Sequence, residues 1–253
     1  MIAQLLPAEI FAFFLVFARI GAAIMFMPGF GDIYVPARYR LILAGGLTLL
    51  LTPVLASGLP GLPPSPIMMT VILFGEITVG AFLGLIGRII HSALHIAGTV
   101  ISFQVGLANA MTFDPVVAEQ SAVTGLFLTT AGLLVIFATD LHHVMLLALA
   151  ASYNVFVPGV MPPIDDFSQV ITRLVADTFI LGVQFATPFI VVGLVFYLGT
   201  GVLARLMPQV QVFFIAMPVQ IFLGFVVLAL TIGVILSWYA DQFPEFFSRA
   251  LGG

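Results

Sequence analysis

Long apolar stretches, separated by short polar or proline-rich breaks, set the pattern of this chain. Residues 41–75, 89–113, 120–139, 141–164, 178–204 and 206–240 contain no Asp, Glu, Lys or Arg, and 8–28 is interrupted only by Glu9 and Arg19. A hydrocarbon core about 30 Å thick takes about 20 helical residues at 1.5 Å each, so these runs are of membrane-spanning length. The pattern predicts helices near 8–28, 38–57, 66–87, 88–111, 121–155, 170–204 and 209–240. The breakers fall between them: Met27-Pro28-Gly29-Phe30-Gly31-Asp32, four prolines between Gly58 and Pro66, Asp114-Pro115, and Pro158 to Asp166. The last of these is the best boundary between two structural halves. No fixed-period repeat or low-complexity tract is present.

Composition sharpens this picture. Of 253 residues, 62% are hydrophobic and only 18 are charged, 7 basic plus 11 acidic. A soluble domain of this length would carry roughly 60 charged residues, which excludes an ordinary soluble enzyme and a disordered chain. All seven basic residues are arginine and the net charge is -4, so there is no polybasic patch for nucleic acid. The absence of cysteine removes disulfides, thiol catalysis and cysteine-based metal sites. The first 30 residues lack the basic region and cleavage site of a signal peptide, so the first apolar segment is expected to stay in the mature protein. Arg38 and Arg40 place the first connection in the cytoplasm and the 58–66 loop outside; beyond Arg88 the arginines give no regular zigzag.

Polar residues inside the apolar runs carry the candidate chemistry. Arg88, His91, His95, Gly98, Ser102, Gly106 and Asn109 follow at steps of three or four, one stripe on a helix. Lipid penalises such a stripe, so it packs as a helix–helix seam or lines an aqueous path. His91 and His95 have the i, i+4 spacing of metal ligands, with Asp140, His142 and His143 as further donors, but no HExxH glutamate accompanies them. Structural histidines are the better reading, and no metal site is expected. Glu76 lies at membrane depth beside the Gly80/Gly84 pair, either as a functional carboxylate or as a buried partner of Arg19 or Arg88. Gly29-Phe30-Gly31-Asp32 matches the GxGD of some intramembrane aspartyl proteases, yet it follows Pro28 and lacks a recognisable partner aspartate, so a turn is expected. Pro188 and Pro218 fall within the last two predicted helices and Pro208 at their junction, and Arg205, Gln209, Gln211 and Gln220 add polar demand there. Such helices suit a subunit within an assembly. Gly106 to Gln120 carries an apolar Met-Thr-Phe tip before Asp-Pro, unusual for a plain loop.

Several of these segments resemble the flagellar biosynthetic protein FliR family. They are Pro28-Gly29-Phe30-Gly31 with Val35-Pro36-Ala37-Arg38-Tyr39-Arg40, Gly75-Glu76-Ile77-Thr78-Val79-Gly80, and Ile101-Ser102-Phe103-Gln104-Val105-Gly106-Leu107 leading to Phe113-Asp114-Pro115. Arg205-Leu206-Met207-Pro208-Gln209 with Phe213-Phe214 and Pro218 completes the set. The likeness runs in order along nearly the whole chain, and virulence-secretion relatives share the architecture.

The resemblance implies an all-α polytopic membrane protein of six to seven helices, several proline-broken, in a tilted pseudo-helical hetero-oligomer. It implies a P-like region over 1–157, a connecting loop at 158–168 and a Q-like hairpin over 169–253. The partners it implies are the P and Q sister subunits, the export switch and export-gate membrane proteins of the same apparatus, and unfolded exported polypeptides. The expected location is the bacterial inner membrane, in the flagellar basal body, without cofactor, metal or enzymatic activity. The segment 106–120 corresponds to a channel plug, with Met111, Phe113, Asp114 and Pro115 as its candidate residues. Flexible Met and bulky Phe suit a seal that blocks ions yet yields to a polypeptide. Glu76, Arg88, His91, His95, Gln104, Arg205 and Gln209 are the expected buried polar or assembly positions. An ion-coupled transporter using Glu76 and Asp140 and an intramembrane protease using Asp32 are the rival readings.

Overall fold

The computed structural model describes residues 2–107, 123–209 and 211–250. Among the described residues there is no strand. The elements are α1 (Ile2–Phe26), α2 (Ala37–Leu55), α3 (Pro66–Val105), α4 (Val123–Ala138), α5 (Leu141–Val155), α6 (Ile164–Leu206) and α7 (Val212–Ala250), with a single 3₁₀ turn at Ala56–Gly58. Five helices are long and apolar enough to cross a membrane, or six if α4 and α5 together form one broken span. At 1.5 Å per residue α3, α6 and α7 run about 60 Å each, roughly twice the hydrocarbon thickness.

Three expected boundaries are corrected. The helices expected at 66–87 and 88–111 are one, α3, because Arg88 supplies charge but no breaker, and the first residue to end the helix is Gly106 at φ 83. The helix expected at 121–155 is two. It breaks at Thr139-Asp140, where Asp140 takes φ 57, the left-handed region that aspartate tolerates better than most residues. Pro188 lies inside continuous α6 and Pro218 inside continuous α7, while Pro208 sits in the turn between them, as the expected bounds 170–204 and 209–240 had it. The connection after α5 is shorter than 158–168, since α6 begins at Ile164 with Asp165 and Asp166 in its first turn. Carboxylates there complement the positive end of the helix.

The chain forms two compact units, each discontinuous in sequence. The first comprises Met1–Ile90, Asp140–Val175 and Phe243–Gly253. Its interior holds Leu15, Ile20, Ile24, Leu83 and Ile86. Phe82 stacks on Phe167 at 3.9 Å, and Phe156 meets both rings edge-on. Gly80 and Gly84 let α3 lie directly on α1, since a Cβ at either position would collide with the carbonyl of Arg19 or of Ala23. The second unit comprises His91–Thr139 and Ala176–Gln242. There the backbone of α3 at Gly98 meets that of α4 at Gly125, with no room for a side chain on Gly98. Ala93, Leu94, Ala97 and Ile101 form the buried face of α3 in this unit, with Phe185 and Phe189 from α6 also buried.

Candidate functional site

In the first unit the charges of α1 and α3 meet in the interior. Arg19 is 0% and Glu76 2% exposed, and Arg19 Nε donates to Glu76 Oε2 at 2.6 Å. Arg19 Nη1 donates to Ser152 Oγ at 3.3 Å and Nη2 to the Phe156 carbonyl at 2.9 Å. The guanidinium carbon lies 4.1 Å from the centre of the Tyr153 ring, whose hydroxyl donates to the Val16 carbonyl at 3.4 Å. Glu76 Oε1 accepts from the Gly159 amide at 3.3 Å. One ion pair thus ties α1, α3, α5 and the 156–163 connection together. Desolvating two charges costs several kcal/mol each, which such a geometry repays only by satisfying the remaining donors and acceptors. The partner of Glu76 is therefore Arg19, not Arg88.

Arg88 is half exposed and stands 3.7 Å from Asp32. Asp32 also accepts from the Gly29 amide at 2.8 Å, closing the turn after α1. Gly29 has φ 84, and a Cβ at Gly31 would strike the carbonyl of Met25. The GxGD segment is thus a turn whose aspartate is a hydrogen-bond acceptor.

In the second unit part of the polar stripe of α3 packs inward, with Gly98 and Ser102 buried and His91 half-buried. His91 Nδ1 lies 3.0 Å from the Tyr239 hydroxyl of α7. Gln220 of α7 donates from Nε2 to the Gln104 carbonyl at 2.7 Å and to the Tyr197 hydroxyl at 3.0 Å. The Gln104 carbonyl is among the last four of α3, which have no partner inside the helix, so Gln220 caps that end from a neighbour. Ser102 Oγ is buried, with no hydrogen-bond partner among the described residues. His95 is exposed, as are Arg205 in the last turn of α6 and Gln209 in the turn that follows. Of the positions expected to be buried or to serve assembly, Glu76 is buried within the single chain, His91 and Gln104 are half-buried, and Arg88, His95, Arg205 and Gln209 reach the surface. Arg205, in the last turn of α6, does not require burial, since its long side chain can extend past the apolar segment.

Asn109, Met111, Phe113, Asp114 and Pro115 lie outside the described residues. Among the described residues Asp140, His142 and His143 bring donor atoms within 4.8 Å of one another, close enough for a cation, at a largely exposed position. His91 and His95 are not part of it. Ser152, Tyr153, Tyr197 and Tyr239 are the participants that pattern reading missed; an aromatic or hydroxyl residue in an apolar helix was the only available signal.

Helices of this length and apolarity, bound internally by a buried ion pair and glycine seams, define an all-α polytopic membrane protein. The chain belongs to the bacterial export proteins, family 1, whose model matches residues 10–246. It is 36% identical over 237 residues to the flagellar biosynthetic protein FliR of Caulobacter vibrioides, covering 94% of each chain. It is 32% identical over 229 residues to the FliR protein of Bacillus subtilis, covering 88% of this chain and 87% of that one. The Yop proteins translocation protein T of Yersinia pestis is 27% identical over 153 residues, 57% of this chain and 56% of its own.

Proposed function

We infer that this chain is a subunit of the flagellar type III protein export gate, helping to form and close the channel through which unfolded flagellar proteins leave the cell. The observation that carries this reading is end-to-end similarity to FliR proteins, 36% identity over 94% of both chains in one case. A virulence-secretion role draws support from the Yersinia translocation protein, but over little more than half the chain. The subunit acts in the bacterial inner membrane beside P and Q sister proteins, the export switch and the export-gate membrane proteins. Residues 1–157 would be its P-like part and 169–253 its Q-like part. Met111 and Phe113 would seal the channel, with Asp114-Pro115 fixing the exit of the plug segment. Catalysis has no part in this role.

Deletion of the gene tests it. Cells lacking the chain are expected to stop secreting flagellar filament protein into the medium while still synthesising it, and the wild-type gene is expected to restore secretion. Normal secretion by the deletion strain would refute the reading.

A further inference from the structure

Beyond the export role, a groove in the first unit has the chemistry of a lipid site. It runs between α1, α2 and α3 with a volume of about 390 Å³. Phe14, Gly21 and Met25 of α1, Leu41 of α2 and Ile77 of α3 contribute to its lining, and Arg40 is the only ionisable residue among those that line it. From Phe14 to Met25 the α1 side extends about 16 Å, enough for most of a fatty-acyl chain. Its middle is roomy: a Cβ at Gly21 would find nothing closer than the Phe17 ring at 3.9 Å.

Arg40 is held in place without being neutralised. Nε donates to the Val35 carbonyl at 3.0 Å and Nη2 to the Asp32 carbonyl at 2.7 Å, and among the described residues Nη1 has no hydrogen bond. The Asp32 side chain is engaged elsewhere, by the Gly29 amide at 2.8 Å and by Arg88 at 3.7 Å. Arg40 is thus an unneutralised cation lining the furrow, in a chain whose net charge is -4. An unneutralised arginine on an apolar furrow between membrane helices matches the two ends of an anionic phospholipid.

We propose that this groove binds an anionic phospholipid, with an acyl chain along α1 and the phosphate at Arg40. The complex purified in detergent, with phosphatidylglycerol and phosphatidylcholine added in equal amounts, tests this by native mass spectrometry. The wild-type complex is expected to retain phosphatidylglycerol about fivefold over phosphatidylcholine, the worth of one arginine near a phosphate. Arg40→Gln should remove that preference, and Gly21→Leu should lower retention of both lipids by filling the furrow. A photo-crosslinker at Met25 should label lipid, which serves even if a variant fails to assemble. Equal retention of the two lipids by the wild type would overturn the proposal. So would unchanged retention in both variants, or crosslinks from Met25 to protein alone, which would make the groove a subunit contact. Retained lipid is the readout, so failure here leaves the export reading standing.

Discussion

Arg19 and Glu76 show how one buried pair disciplines a mostly apolar chain. Each is expensive to bury alone, and together they use Ser152, the Phe156 carbonyl and the Gly159 amide to satisfy what remains. Glu76→Gln leaves a buried guanidinium without its counter-charge, and should destabilise the chain by about 3–5 kcal/mol. The measurement is the amount of folded protein in membranes and its melting temperature in detergent. Arg19→Leu combined with Glu76→Leu should recover much of that loss, because no lone charge is left inside; a double variant worse than either single one would argue against this account. Asp32→Asn keeps an acceptor for the Gly29 amide and loses only an exposed pairing worth about 0.2–1 kcal/mol, so secretion should persist nearly unchanged. Complete loss of activity in a well-assembled Asp32→Asn protein would instead favour the protease reading. From the sequence, Glu76 stood out because a carboxylate inside an apolar run needs a partner. Arg19 was one of two candidates for that partner. Tyr153 could not be found that way, since an aromatic ring in an apolar helix has an ordinary reason to be there.

At the level of helices, small residues decide where elements touch. Gly98 lies on the backbone of Gly125, and Gly80 on the Arg19 carbonyl. A leucine at either position must push α3 off its neighbour, costing at least the 1–3 kcal/mol of an overpacked core. Gly199 is the control, because nothing lies within 4 Å of a Cβ there. Gly199→Ala should be neutral or stabilising by up to about 1 kcal/mol through helix propensity, and thermal melts of the three variants should separate accordingly. The helices themselves were legible because charge-free runs and proline-rich breaks are strong local signals. The continuity of α3 was not, since Arg88 looked like a terminus but paired with Asp32 at the surface. The division between α4 and α5 was equally hidden, resting on one left-handed aspartate and no proline. Pro188, inside the helix expected over 170–204, removes an amide from α6 without ending it.

On the scale of the molecule, the unresolved demand is apolar surface. Among the buried residues of the 19-residue helix α2 are only Ala44 and Thr48, and Phe222, Leu230 and Val234 of α7 are all exposed. Lipid covers part of such a surface, but helices about twice as long as the hydrocarbon core is thick cannot hide in lipid alone. Sister subunits would cover the rest. If the segment 106–120 closes the channel, deleting residues 110–116 should raise the ion conductance of the assembled complex in planar bilayers; unchanged conductance would remove the plug from the account. The assembly itself is the central claim, and purification of the tagged chain from its own cells tests it most directly. The account predicts a complex that contains this chain with several copies each of two other membrane proteins, whereas a monomer or a homo-oligomer without them would contradict it.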